Sequence, residues 1–291
     1  MKPAAFTYHR PASLDEALAL LADLGPEAKA LAGGQSLAPM LNMRLASPAH
    51  LVDLNDLTEF GRIRDDGHGL EVGALVRHHQ LATSAQVRAR CPLLALLAQT
   101  IGHYAIRQRG TLGGSLAHAD PAAQLVLAAI TLDARLTLVR RGGRRVLAAR
   151  DFFQSAMTTA LAPDELLLSV RFPCAAQNEA AALRLFNRRH GDFALVSVAT
   201  TVTLDGGQVS RLRLGVGGVA PVPLRLDELT SAFEQQRPDA AWVLALAEAV
   251  AAAVQPEDDP RVPAAYRREL TRTLTERAVS DALDKMETQA A

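Results

Sequence analysis

Cysteine is scarce in this chain. The 291 residues include only Cys91 and Cys174, and neither belongs to a CxxC pair or a Cys/His cluster. Thiolate zinc sites and iron–sulfur clusters need about four cysteine or histidine ligands at short spacings. The chain therefore cannot hold such a centre by itself. Free cysteines are usually buried and persist in reducing compartments, so we expect both thiols to be buried.

An excess of charge and long apolar runs are also lacking. The 31 Lys and Arg residues balance 31 Asp and Glu residues, so no net field favours nucleic acid or an anionic membrane surface. No stretch reaches the roughly 18 uncharged apolar residues of a membrane span. Asp15, Glu16 and Asp23 interrupt the first apolar run, unlike the core of a signal peptide. We expect a cytoplasmic protein that binds neither nucleic acid nor a membrane.

The first 175 residues carry the patterns of both strands and helices. Ser13 and Glu16 form a capping box and Gly25 follows the last apolar repeat, so a helix is predicted between them. Because strands and helices do not alternate regularly, the pattern favours an α+β fold. The other predicted elements are helices at 81–102, broken at Pro92, and 122–134, strands at 5–9, 29–31, 50–57, 69–75 and 164–173, and a hairpin at 135–149 turning at Gly142–Gly143.

The composition changes at 174–182, which predicts a linker to a second domain. The elements predicted beyond it are strands at 194–204 and 209–219 joined by a turn at 205–207, and helices at 240–254 and 266–286 separated by the polar connector 255–263. We therefore expect two domains. The first spans residues 1–175, with subdomains of about 1–57 and 58–175, and the second spans residues 179–287.

Two glycine pairs carry the clearest sign of ligand binding. Gly33–Gly34 in LAGGQSL and Gly113–Gly114 in GTLGGSL each follow a strand-like run and precede a small polar residue. Backbone N–H groups at such bends are free of a strand ladder, and no Cβ keeps an anion away. We predict that the two bends meet around one pyrophosphate, where each charged hydrogen bond contributes about 1.5–3 kcal/mol. Neither stretch is a Walker A or GxGxxG loop, and a tight turn is the alternative for each.

Three separated stretches resemble one known family. LAGGQSLAPML at 31–41 and IGHYAIRQRGTLGGSLAHADPAAQ at 101–124 closely resemble the two FAD-binding motifs of the medium subunit of molybdenum hydroxylases, the family of carbon monoxide dehydrogenase and xanthine dehydrogenase. RRHGDFALVSVA at 188–199 resembles the opening of that subunit's C-terminal domain. The resemblance implies an FAD-binding domain of the p-cresol methylhydroxylase type, made of two α/β subdomains, followed by a small domain of antiparallel sheet and helices.

The resemblance also implies which residues contact FAD. In the first motif, around the pyrophosphate, they are Lys29, Ala30, Leu31, Ala32, Gly33, Gly34, Gln35, Ser36 and Leu37. In the second, around the phosphate and ribityl groups, they are Ile101, Thr111, Gly114, Ser115, Ala117, His118, Asp120 and Gln124. Leu167 is implied to pack near the flavin and Phe193 beside the isoalloxazine ring. Gln124 stands where many relatives carry an acid, so we expect an altered contact there and not the loss of FAD.

Several of these residues have a second interpretation from the sequence. His118 and Asp120 also fit an N-cap pair, with Asp120 capping a helix that begins at Pro121. The two roles are compatible. Arg107 and Arg109 either neutralise phosphate or lie at a subunit contact.

Two further features are expected to be structural. The glycine-rich stretch GVGGVAP at 215–221 resembles a phosphate loop, but it ends a predicted hairpin strand, so we expect a turn. His78 and His79 lack a third ligand, so we expect them on the surface and predict no metal site.

No nucleophile triad, metal cluster or pair of catalytic carboxylates is evident, so the reaction chemistry would belong to the cofactor and no catalytic residue is predicted. The favoured function is an FAD-carrying electron-transfer subunit between a small [2Fe-2S] iron–sulfur subunit and an external acceptor, beside a large molybdopterin-containing subunit, in a dimer of heterotrimers. One alternative is a stand-alone FAD-dependent reductase or oxidase of the same fold. Another is a flavin-free nucleotide-binding or scaffold module. The substrate and the acceptor, whether NAD, quinone or oxygen, stay open.

Overall fold

The computed structural model describes residues 2–260 and 262–290, so that Met1, Ala291 and Arg261 of the predicted connector lie outside the described residues. A parallel sheet of order β1-β3-β2 opens the fold. Its elements are β1 (Thr7–His9), α1 (Leu14–Leu24), β2 (Ala28–Leu31), α2 (Leu37–Asn42) and β3 (His50–Asp53). The predicted strands 5–9 and 50–57 are thus shorter than expected.

Helix α1 forms as its sequence predicts. The Ser13 hydroxyl accepts a hydrogen bond from the Glu16 N–H at 3.2 Å, which satisfies one of the free donors in the first turn. Gly25 ends the helix with a φ of 55°. The apolar stripe of Ala17, Leu18 and Leu21 is buried in a small core shared with the sheet, so α1 covers one face of it.

The middle of the chain builds an antiparallel sheet of order β4-β5-β10-β6-β7 with helices packed on it. Strands β8 and β9 of this region pair separately as a two-stranded sheet. The elements of the region are β4 (Ile63–Asp65), β5 (Leu70–Gly73), α3 (His78–Thr83), α4 (Ala85–Arg90), α5 (Pro92–Gln99), α6 (Tyr104–Arg109), α7 (Leu112–His118), α8 (Gln124–Thr131), β6 (Arg135–Arg140), β7 (Gly143–Ala148), α9 (Ala149–Phe152), β8 (Phe153–Ser155), β9 (Thr158–Thr159) and β10 (Leu166–Phe172). Short 3-10 turns lie at Gly25–Glu27 and Thr58–Gly61.

Two predictions for this region need adjustment. The break expected at Pro92 is present, because proline occupies the first position of α5, but 81–102 divides into more than a helix pair. The hairpin turn consists of Arg141 and Gly142, because Arg140 pairs with Gly143 across the strands. The turn therefore lies one residue earlier than predicted, with its positive φ at Gly142.

The C-terminal part is an antiparallel sheet of order β11-β12-β13-β14 with its own helices packed on one face. Its elements are β11 (Glu179–Phe186), β12 (Val196–Asp205), β13 (Gln208–Gly217), β14 (Leu224–Arg225), α10 (Asp227–Ser231), α11 (Ala240–Ala253) and α12 (Ala264–Ala290). The predicted linker 174–182 is wrong from Glu179 onward, because those residues begin β11. Alanine has a low strand propensity, so the run Ala180–Ala182 gave no strand signal, yet all three alanines are buried.

Strand β12 is buried along nearly its whole length because both faces of this sheet are covered. One face packs on α11 and α12, and the other contacts α5 and α8 of the middle region. Gly215 has no room for a side chain, since a Cβ would collide with the Thr131 hydroxyl of α8. The turn predicted at 215–221 therefore begins only at Gly218, which has a φ of 81°. Gly215 and Gly217 lie in β13, where they permit close packing of sheet and helix.

The α+β class predicted from the sequence is confirmed. Parallel and antiparallel sheets are combined with helices in one chain, and the β-α-β-α-β series of β1 to β3 does not continue into the middle and C-terminal parts. None of the helices within 2–260 and 262–290 is long and apolar enough to cross a membrane.

Candidate functional site

A cavity of about 1080 Å³ lies where the N-terminal sheet, α7, strands β9 and β10 and the loop at 187–194 meet. Cavities that bind small molecules usually measure about 300–1,000 Å³. This cavity is therefore large enough for a dinucleotide. Every residue predicted to contact the cofactor lines it, from the 29–37 stretch and the second motif to Leu167 and Phe193.

The first glycine pair forms the bend between β2 and α2. Gly34 has a φ of 71°, which favours glycine. At Gly33 a Cβ would lie 2.9 Å from the Gly110 Cα and would collide with the Arg109 carbonyl. The two sequence motifs therefore meet at the cavity, and only a residue without a side chain permits this approach.

The first loop carries a row of available donors. The backbone N–H groups of Gly33 to Leu37 have no acceptor in the part of the chain that the structure describes. The loop is braced by the Gln35 side chain, whose Nε2 donates to the Gly33 carbonyl at 3.1 Å. Consecutive free N–H groups that line a cavity form a concave site for an anion. This arrangement fits the pyrophosphate of a dinucleotide.

The second glycine pair does not form a bend, so that prediction is wrong. Gly113 and Gly114 lie in the first turn of α7, whose N-cap is Thr111. The Gly113 N–H donates to the Ala74 carbonyl at 2.8 Å, and the Gly114 N–H donates to the Thr111 hydroxyl at 3.1 Å. These amides are therefore not free for a phosphate. A Cβ at Gly113 would lie 2.6 Å from the Ala74 Cβ, so glycine allows α7 to pack on the end of β5.

The region after α7 also differs from one expectation. Helix α8 begins at Gln124 and not at Pro121, and Ala123 occupies its N-cap position. Asp120 Oδ1 accepts from the Ala122 N–H at 2.8 Å, so Asp120 stabilises the turn before the helix. The N-cap interpretation of Asp120 is wrong, and His118 is the last residue of α7.

Gln124 is the residue in this region with unsatisfied hydrogen-bonding capacity. It is 8% exposed, and its Oε1 has no hydrogen-bond partner among the described residues. A buried polar atom without a partner is costly, and Gln124 also lines the cavity. A ligand with a hydroxyl donor would satisfy it, as the ribose and ribityl groups of FAD would. The residues present therefore fit this cofactor at both its phosphate and its hydroxyl groups.

His78 is not on the surface as predicted. It is 6% exposed, and its Nε2 lies 2.9 Å from the Thr111 carbonyl, which places the proton on Nε2. Burial lowers the pKa of His78 to about 4, so the ring is neutral near pH 7. A Cβ at Gly110 would lie 2.7 Å from Nδ1. No local sequence pattern indicates this contact, because Gly110 and His78 are distant in sequence.

Arg107 braces the backbone around the cavity with its side chain, whereas Arg109 contributes its main-chain carbonyl. Arg107 Nη1 donates to the Ile101 and Gly102 carbonyls at 2.9 and 3.0 Å. The Arg109 carbonyl accepts from the Arg77 guanidinium. Neither Arg107 nor Arg109 lines the cavity, so direct neutralisation of a phosphate by these side chains is not supported.

The C-terminal part closes one side of the cavity with the loop at 187–194. Phe193 is 62% exposed at its edge, while Leu167 in β10 is buried in the wall. Gly191 has a φ of 89° and packs on the His103 ring, where a Cβ would lie 2.6 Å from Cε1. Apart from Phe193, the sequence did not indicate this loop as part of the site.

The cysteines and titratable groups that the structure describes offer no metal centre. Within the described ranges no group of three or more His, Cys, Asp or Glu side chains is placed to hold a metal ion. Cys91 is buried, as predicted, and burial raises the pKa of its thiol to about 12. Cys174 is only partly buried, so the prediction for that thiol is not fully met.

Comparison with known proteins decides the family. The profile of the FAD binding domain in molybdopterin dehydrogenase matches residues 4–175, and that of the CO dehydrogenase flavoprotein C-terminal domain matches residues 181–282. The chain belongs to this flavoprotein family. As its medium FAD subunit, the chain has an FAD-binding domain and is an oxidoreductase component, which confirms the predicted family, cofactor and enzyme class.

Individual relatives match the medium subunit nearly end to end. The 6-hydroxypseudooxynicotine dehydrogenase complex subunit alpha of Paenarthrobacter nicotinovorans is 38% identical over 98% of this chain and 97% of its own length. The carbon monoxide dehydrogenase medium chain of Afipia carboxidovorans is 37% identical over 97% and 98%. A solved structure of carbon monoxide dehydrogenase from Hydrogenophaga pseudoflava superposes with a TM-score of 0.94 at 36% identity, covering 98% of this chain and 99% of that chain.

Proposed function

We propose that this medium subunit transfers electrons from an iron–sulfur partner to an external acceptor through FAD held in the cavity. When bound, FAD would accept and donate two electrons, either together or one at a time. The observation that carries the proposal is the row of N–H groups from Gly33 to Leu37, which lack acceptors in the described chain and line a cavity of dinucleotide size.

The residues of the cavity would divide the work of binding. The 33–37 amides would donate to the pyrophosphate, and Gln124 Oε1 would accept from a sugar hydroxyl. Ser115 and His118, on the cavity side of α7, would contact the phosphate and ribityl region. Leu167 would pack against the flavin, and Phe193 would cover the ring edge.

The proposed partners are a small [2Fe-2S] subunit and a large molybdopterin-containing subunit, assembled as a dimer of heterotrimers in the cytoplasm. Two observations support partner subunits that hold the other redox centres. The chain has only two cysteines, far apart in sequence, and the relatives include chains named as a medium chain or medium subunit. We also propose the domain division 1–175 and 179–287, supported by separate profile matches to the two parts.

The proposal is tested by purifying the chain alone and together with the products of neighbouring genes. We expect FAD, released on denaturation, at about one per chain, and copurification with a cysteine-rich small chain and a molybdopterin-containing large chain. A stable monomer that holds FAD and turns over its own substrate would replace this proposal with a stand-alone reductase or oxidase. A chain that takes up no FAD would leave a flavin-free module.

A further inference from the structure

Behind the first glycine loop runs a short chain of polar contacts outside the cavity. Asn55 Nδ2 donates to the Ala32 carbonyl at 2.9 Å. Arg77 Nη2 donates to Asn55 Oδ1 at 2.7 Å, and Arg77 Nη1 donates to the Arg109 carbonyl. The two carbonyls belong to the residues just before Gly33 and Gly110, so the contacts hold both sides of the place where the motifs meet.

Asn55 has one orientation in this network. A guanidinium can only donate, so the Asn55 oxygen must face Arg77, and the Ala32 carbonyl can only accept, so the amide nitrogen must face Ala32. The Asn55 backbone N–H donates to Asp53 Oδ1 at 2.9 Å. Asp53 is 8% exposed and accepts a further hydrogen bond from the Tyr8 hydroxyl. Asn55 Nδ2 also donates to Asp53 Oδ1, so both ends of the Asn55 side chain are fixed by buried or half-buried partners.

The position of the Ala32 carbonyl determines the direction of the next N–H group. In a trans peptide unit the carbonyl and the following N–H are coplanar and point in opposite directions. Since Asn55 binds the Ala32 carbonyl and does not line the cavity, the Gly33 N–H is directed away from Asn55. Gly33 itself lines the cavity, whereas Asn55 and Arg77 do not.

We propose that Asn55 and Arg77 are positioning residues that aim the Gly33 N–H at the pyrophosphate, a role that rests on the proposed FAD site. Arg77 adds a second function. It follows β5, while Asn55 follows β3, so their hydrogen bond joins the two parts of the chain that carry the two motifs. Neither residue would touch the cofactor, and both would act through the loop backbone.

The test compares variants of the full chain after removal of flavin. Asn55→Ala removes the donor to Ala32, Asn55→Leu keeps a side chain of similar size without the donor or any charge, and Arg77→Lys loses the forked contact to Asn55 and Arg109. The control is Arg10→Ala, which breaks the neighbouring exposed ion pair with Asp56 but touches neither loop. Dissociation constants are measured for FAD, for ADP, which has the pyrophosphate, and for riboflavin, which lacks it.

We expect Asn55→Ala and Asn55→Leu to weaken FAD and ADP binding about tenfold to a hundredfold, the effect of one hydrogen bond to a charged group. Riboflavin binding should change less than threefold, and Arg10→Ala should match the wild type throughout. Equal weakening of all three ligands, or unchanged FAD and ADP binding in both Asn55 variants, would overturn the inference. If Asn55→Ala does not fold, Asn55→Leu and Arg77→Lys decide it. Failure of the wild type to bind FAD or ADP would instead reject the proposed site.

Discussion

At Gly33 two loops approach so closely that the smallest side chain would separate them. A Cβ there would collide with the Arg109 carbonyl, which is backbone and is itself held by Arg77. We expect Gly33→Ala to destabilise the protein by about 1–3 kcal/mol, as overpacking usually does. It should also lower the FAD content of the purified chain. Urea unfolding and flavin absorbance measure the two effects.

The matched control for that substitution is Gly61→Ala. A Cβ at Gly61 would meet no atom within 4 Å, and its backbone is not in the left-handed region. This variant should keep its flavin and its stability. If Gly33→Ala matched Gly61→Ala in stability and in flavin content, the two loops could separate without loss of stability or of FAD binding.

His78 predicts a specific pH dependence of stability. Its pKa is about 4 in the folded chain, below the ordinary 6.5, because burial disfavours the charged ring. The unfolded chain therefore binds more protons between pH 6.5 and 4, and stability is lost as the pH falls through that window. At pH 5 the loss from this residue should be about 2 kcal/mol relative to pH 7.

Denaturant unfolding of wild type and His78→Gln at pH 7 and pH 5 measures this contribution. Glutamine keeps a donor for the Thr111 carbonyl but does not titrate, so the variant should lose less stability on acidification. Equal losses of stability in the two proteins would mean that folding does not lower the pKa of His78.

At the scale of elements, α7 depends on its N-cap. The Thr111 hydroxyl accepts from the Gly114 N–H, and Thr111 is 2% exposed. Thr111→Val removes the acceptor with little change in shape and should cost about 1 kcal/mol of unfolding free energy. Thr111→Ser keeps the cap hydrogen bond and should stay closer to the wild type. If urea unfolding ranks the two variants in the opposite order, packing of the methyl group outweighs the cap.

Helices α1 and α7 show what the sequence could and could not predict. Helix α1 was predictable because its cap, its apolar repeat and its terminal glycine all agree. Helix α7 was missed because Gly113 and Gly114 lower helix propensity, and only their packing on Ala74 and Thr111 explains their presence. A threonine three residues before Gly114 was the available signal. Strand β11 was missed for a similar reason, since buried alanines have little strand character of their own.

For the site, the sequence predicted which residues line the cavity but not which atoms are free to bind. The two glycine pairs predicted the convergence of the motifs, the resemblance implied the set of contact residues, and the cavity contains all of those residues. The use of the Gly113 and Gly114 amides inside the protein, and the burial of His78, depend on contacts distant in sequence. Such contacts leave no local pattern.

At the scale of the whole molecule, a buried ion pair lies in the C-terminal sheet. Arg213 and Glu179 are 3.2 Å apart, with side chains 7% and 5% exposed. Removing one partner leaves an uncompensated buried charge, so Glu179→Leu should cost about 3–5 kcal/mol. The double variant Glu179→Leu with Arg213→Met should recover most of that loss. Urea unfolding of both proteins checks this, and a double variant no better than Glu179→Leu would indicate that the pair also fixes the packing.

The burial of β12 on both faces has a practical consequence for protein engineering. The C-terminal sheet lies between two pairs of helices, with α11 and α12 on one face and α5 and α8 on the other. Transferring residues 1–175 alone into another scaffold would expose an apolar surface on α5 and α8. Such a fusion protein would need either the C-terminal sheet as well or polar substitutions on the exposed faces of the two helices.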